Sequence, residues 1–222
     1  MCGLAKELMM SFTTWITFFF ASCLIAVSPG SGAVLSMSHG LSYGVKRTTA
    51  TILGLQAGLL LILFIAGAGV GSLLLASELA FNIVKTVGAL YLIYLGFSQW
   101  RSRVDVGPDL RSHANPAVPA TRRRVLLGFL TNATNPKGII FMVAVLPQFI
   151  SRDAALLPQL LILAVTTCVV DLVVMHGYAF AASSMQRYFR DAAAIKKQNM
   201  FFGGVLMAVG ATLFFVKRNP AA

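Results

Sequence analysis

Long apolar runs separated by short polar stretches dominate the chain. A membrane-spanning helix needs about 20 predominantly apolar residues. Six stretches qualify, roughly 12–38, 48–72, 80–100, 125–147, 157–182 and 199–216. Several exceed the minimum, which permits tilt or a break. Residues 8–45 carry no charged side chain, a run well beyond the about 7–15 apolar residues of a cleaved signal peptide. A spanning segment is expected there instead. Trp15 and Trp100 lie near span ends, where interfacial rings belong.

The one long polar stretch, residues 101–124, contains Pro108, Pro116 and Pro119 and shows no helical periodicity. It reads as a cytoplasmic linker. It separates a first three-helix unit (1–100) from a second (125–222). With an odd number of spans per unit, the two units take opposite orientations. Each begins with a span interrupted by proline and glycine: Ser28-Pro29-Gly30-Ser31-Gly32 in the first, Asn135-Pro136-Lys137-Gly138 in the second. The expected fold is an all-α integral membrane protein with six transmembrane helices, arranged as two inverted three-helix repeats with broken helices one and four. Paired interruptions at corresponding places point to a transporter site. The backbone groups they free must face protein or a wet cavity, not lipid. Two simple packing kinks are the alternative.

Composition agrees with the pattern. Of 222 residues, 57% are apolar and 11% charged, against about 25% charged in a soluble domain. A water-soluble enzyme, a disordered chain and a coiled coil are excluded. The net charge of +11 would suit nucleic acid or an anionic surface, but here its distribution explains it. Lys46, Arg47, Arg101, Arg103, Arg111, Arg122, Arg123, Arg124, Arg187, Arg190, Lys196 and Lys197 fall in the loops after spans one, three and five. Only Lys6, Arg152, Lys217 and Arg218 fall on the other side. This bias places the basic loops in the cytoplasm and both termini outside, with no nucleic-acid partner. Cys2, Cys23 and Cys168 form no C-x-x-C pair and no disulfide framework. The histidines His39, His113 and His176 lack ligand spacing. No metal or cofactor is expected, and no motif of an enzyme is present.

Within the spans, Asp171 is the only deeply placed acid. An acid at a helix centre costs about 2.5–3.5 kcal/mol on insertion scales, so something must offset it. Thr167 and Tyr178 share its helical face. One reading is a proton or substrate-ammonium site, the other a structural carboxyl bonded to neighbouring helices. Lys137 pairs with Asp171, attracts a carboxylate, or snorkels to the interface. Gln56 lies between Gly54 and Gly58, whose spacing lets helices approach closely; Gly67 and Gly71 repeat that spacing. Tyr91, Tyr94 and His176 are further cavity candidates. The glycosylation triplet at Asn132-Ala133-Thr134 abuts a span and reads as chance.

Several segments taken together resemble the LysE/RhtB superfamily of amino-acid exporters, in particular its homoserine and homoserine-lactone efflux branch. They are Ser28–Ala33, Gly54–Leu59, Gly88–Gly96, Leu130–Asn132 with Asn135–Lys137, Pro147–Ile150, Val165–Asp171 and Gly177–Ala179. The resemblance covers about residues 15–215 apart from the linker. It implies a secondary exporter of small neutral amino acids, driven by protons, in a bacterial inner membrane. Ser31 stands where many members carry proline, and Leu59 where many carry an acid, which leaves Asp171 as the candidate for proton coupling. The substrate-binding candidates are Ser28, Pro29, Gly30, Ser31, Gly32, Gln56, Asn135, Pro136 and Lys137. The partners implied are a small amino acid, protons and the lipid bilayer. The glycine-rich faces serve packing within one chain or within a homo-oligomer equally well. Two other classes stay open: a passive pore or scaffold, and a thiol electron carrier using Cys23 and Cys168.

Overall fold

A computed structural model describes residues 10–70, 78–101, 118–151, 154–184 and 192–215. Among them are eight α-helices and no strand: α1 Phe12–Val27, α2 Ser31–Tyr43, α3 Val45–Phe64, α4 Glu78–Arg101, α5 Thr121–Ala133, α6 Pro136–Val145, α7 Leu156–Ser184 and α8 Ala192–Leu213. A π-helical turn, Ile65–Val70, extends α3, and a 3-10 turn, Leu146–Phe149, extends α6.

The expected breaks are present. Helices α1 and α2 form one pair bent by 56°, and α5 with the α6 segment a second bent by 50°. Val45–Gly67 and Leu156–Ser184 are each long and apolar enough to cross a membrane, which gives four candidate spans if each bent pair counts as one. Helices also occupy the expected third and sixth spans. There Glu78, Lys85 and Arg101 in α4, and Lys196 and Lys197 in α8, dilute the apolar content. The linker expected over 101–124 lies mostly outside the described residues. Its last part is helical rather than loop, because α5 starts at Thr121. Arg124 is buried there and donates to the carbonyls of Pro119 (3.1 Å) and Arg47 and to Thr121 Oγ1 (3.1 Å). Arg122 and Arg123 remain exposed.

Small residues set the packing. Helices α3 and α5 run against each other backbone to backbone, and α4 packs extensively on α8. A Cβ at Gly54 would fall on the Val125 carbonyl, one at Gly58 on the Phe129 carbonyl, and one at Gly128 on the Thr51 carbonyl. The packing role expected of Gly54 and Gly58 is therefore observed, and Gly128 completes it from the facing helix. Gly40 does the same for α2 against Ala179 of α7. The largest core, built around Phe18, Leu63, Leu92, Phe141, Leu146 and Leu163, fills the space among α1, α3, α4, α6 and α7. Large apolar side chains such as Leu79, Val87, Leu90 and Phe97 on α4 and Val165, Val169 and Val173 on α7 point outward, which suits a surface facing lipid.

Candidate functional site

The two breaks meet at a cavity of about 50 Å³, room for a few waters. Its polar wall comes from α1 and the first break (Ser22, Ser28, Gly30), from the second break (Asn132, Asn135, Lys137) and from α7 (Thr167, Asp171). Gly32 and Ala33 of α2 border it, and Leu55, Leu59, Phe141, Met142 and Met175 supply the apolar wall.

The first break follows from local chemistry. Ser11 caps α1 by accepting from Thr14 N at 3.1 Å. The helix ends at Ser28, which is extended (φ −69°, ψ 118°), as a residue before proline tends to be. Gly30 is also extended (φ −144°) and no side chain caps α2. The first N–H groups of α2, which have no intrahelical partner, are thus left beside the cavity-lining Gly30, Gly32 and Ala33. The carbonyl end of α1 is occupied more fully. Leu24 O accepts from Ser28 N (3.2 Å), Val27 O from the Tyr178 hydroxyl (2.6 Å), and Ile25 O and Ser28 O both accept from Lys137 Nζ, the first at 3.1 Å.

The second break closes on itself. Asn135 caps α6 by accepting from Lys137 N at 3.1 Å, and Pro136 takes the first helical position, where its missing N–H costs nothing. Asn135 Nδ2 donates to Asn132 Oδ1 at 3.4 Å, and Asn132 Nδ2 donates to Leu55 O at 2.8 Å.

Asp171 accepts at Oδ2 from Gln56 Nε2 at 2.6 Å. Gln56 therefore supports the carboxylate from α3 and is not among the cavity-lining residues. Three buried polar atoms near this centre have no hydrogen-bond partner among the described residues: Ser22 Oγ, Ser28 Oγ and Gln56 Oε1. Both serines are 1% exposed and line the cavity. A buried hydroxyl left without a partner costs about 1–3 kcal/mol, so such groups ask for a guest, whether water or ligand.

Of the residues expected at the site, Ser28, Gly30, Gly32, Asn135, Lys137 and Asp171 line the cavity; Pro29, Ser31, Gln56 and Pro136 do not. Ser31 and Pro136 are exposed, because the helical turn carries their side chains away. Lys137 spends its ammonium on backbone carbonyls of α1, neither snorkelling nor bonding Asp171. Tyr91, Tyr94 and His176 stand elsewhere: the two tyrosine rings pair at 6.1 Å, and His176 lies between Leu172 O and Thr49 Oγ1. Cys23 and Cys168 are free thiols, and Cys2 lies outside the described residues. Ser22 and Asn132 line the cavity as well, although neither is among the expected binding residues. Ser22 lies less than two turns before the break on a largely apolar helix, and no motif marks it. Asn132 carries a signal: with Asn135 it puts two amides one turn apart at a helix end.

Comparison with known proteins agrees with this architecture. Residues 23–216 match the family model described as LysE type translocator. A protein of Salmonella typhimurium described as "Homoserine/homoserine lactone efflux protein" is 41% identical over 204 residues, covering 92% of this chain and 97% of its own. An uncharacterized membrane protein of Vibrio cholerae is 38% identical over 208 residues, covering 94% of this chain and all of its own. A "Leucine efflux protein" of an Enterobacter species is 29% identical over 183 residues, 82% of this chain and 85% of its own. No solved structure matches significantly. The chain belongs to the LysE-type translocator family, and is a multi-pass membrane transporter rather than an enzyme.

Proposed function

We propose that the chain is a proton-driven secondary exporter of small amino acids of the homoserine and threonine kind, with homoserine lactone as a further substrate. The observation that carries this reading is the cavity at the two breaks, which holds a carboxylate, an ammonium, an uncapped helix start and two unpartnered serine hydroxyls. That set matches a zwitterion with a short polar side chain. The substrate carboxylate sits at the start of α2, where free N–H groups and the helix dipole favour an anion. The α6 start is the weaker anion site, because Asn135 already takes one of its N–H groups. The substrate ammonium faces Asp171, and its hydroxyl meets Ser22 or Ser28. The similarity to homoserine and leucine efflux proteins supports the substrate class.

In this reading the six expected spans, two of them broken, form two inverted repeats, 1–100 and 125–222, joined by the 101–124 linker. They sit in a bacterial inner membrane with basic loops in the cytoplasm and both termini outside. The cavity holds less than a whole amino acid needs, so rocking of one repeat against the other opens it by turns to each side. Asp171 takes up and releases the proton. Gln56 serves both forms of the carboxyl: its amide N–H holds the carboxylate, and the same amide turned over offers its oxygen to the protonated acid.

Uptake of labelled homoserine, threonine and leucine into everted vesicles tests the reading. Homoserine and threonine should accumulate only under an imposed proton gradient, and faster than leucine. Absence of accumulation for all three, with the protein present in the membrane, overturns it.

A further inference from the structure

The carbonyl end of α1 already holds a cation, the Lys137 ammonium. In transporters with broken helices, the carbonyls at half-helix C-termini and in unwound segments hold the coupling ion. Here the corresponding carbonyls, Ile25 O and Ser28 O, accept from Lys137 Nζ, delivered from the opposite repeat by the first turn of α6. Gly30 makes room for it: a Cβ there would lie 3.2 Å from both Cε and Nζ of Lys137. Further oxygens on the same cavity wall are the Asp171 carboxylate and the unpartnered hydroxyls of Ser22 and Ser28, while the amide nitrogens of Asn132 and Asn135, which also border the cavity, donate to Leu55 O and Asn132 Oδ1.

We infer that Lys137 is a tethered substitute for a monovalent metal ion: its ammonium permanently occupies the carbonyl site at the first break and ties the two broken helices together. Export consequently needs no sodium. Removing the side chain leaves a site of oxygen atoms that a free small cation fills. The sodium-free export is a consequence that rests on the exporter reading; the cation site itself does not.

The test is thermal unfolding of the purified full chain in detergent, in sodium, potassium, methylammonium or choline chloride at equal ionic strength. The wild type should melt at the same temperature in all four. Lys137→Ala should melt lower in choline and recover by about 3 °C or more in saturating sodium or methylammonium. Lys137→Met, which fills the space without charge, should show no recovery. Where Lys137→Ala cannot be purified, Lys137→Ser, a small polar side chain that also leaves the carbonyls open, takes the same measurement. The inference is overturned if neither small variant responds to any cation, if Lys137→Met responds as they do, or if the wild type is itself stabilised by sodium. Transport is not read, so a chain that fails to export homoserine can still pass, and an exporter can still fail.

Discussion

The two helix breaks look alike in sequence and differ in how their backbone ends are finished. At the second, Asn135 caps α6, Pro136 fills the position that needs no N–H, and Asn132 braces Asn135. At the first, α2 starts without a side-chain cap, Ser28 keeps an unpartnered hydroxyl, and two carbonyls accept from a lysine of the second break. One break is complete within its own segment; the other is complete only with help from outside. The lesson is that a proline-glycine interruption is not by itself a binding site. On the proposed function, the break whose polar groups remain unpaired is the one expected to face the ligand.

The sharpest way to break this comparison is to add one methyl group at each break. At Gly30 the methyl meets the Lys137 ammonium 3.2 Å away; at Gly138 it meets Ile62 Cδ1, also at 3.2 Å, the end of a side chain that can move aside. Gly30→Ala should lower the initial export rate about tenfold, equivalent to about 1.4 kcal/mol, while Gly138→Ala leaves it within about twofold. Equal losses would show that the first break has no special role.

A smaller effect is expected from the unpartnered hydroxyls. Ser28→Ala should weaken homoserine binding by about threefold to tenfold, the weight of one hydrogen bond at about 0.5–1.5 kcal/mol, without lowering the melting temperature. Ser36 is also buried and unpartnered, but is not among the cavity-lining residues. Ser36→Ala should leave binding unchanged. If the two substitutions act alike on binding, Ser28 is not a ligand contact.

Smallest in transport is the effect expected at the second break, where Asn135 already spends its side-chain oxygen on capping α6. Asn135→Ala removes a helix cap worth about 1 kcal/mol and should lower the melting temperature by about 2–4 °C. Asn135→Asp should restore most of that loss. The KM for homoserine should change little in either variant, and a large rise in KM for both would move Asn135 into the binding site.

Much of this was legible in the sequence. Period, proline and glycine marked both breaks, the Gly54–Gly58 spacing marked the α3–α5 seam, and a lone acid in an apolar helix marked Asp171. What was not legible depends on elements far apart in the chain. That Lys137 reaches Ile25 and Ser28, and that Gln56 braces Asp171 without lining the cavity, follow from how helices distant in the chain pack together. Ser31 stands inside the motif, yet the helical turn carries its side chain outward. Asn132 belongs to a motif segment without being one of the binding candidates, and its spacing from Asn135 is the feature that points to the cavity.

The central claim is that Asp171 couples substrate movement to protons inside the cavity at the breaks. Labelled homoserine should be followed in proteoliposomes holding wild type or Asp171→Asn, once as exchange against unlabelled homoserine and once as accumulation under a proton gradient. The account predicts that Asp171→Asn keeps the exchange and loses the gradient-driven accumulation. Accumulation by Asp171→Asn at the wild-type level would contradict it.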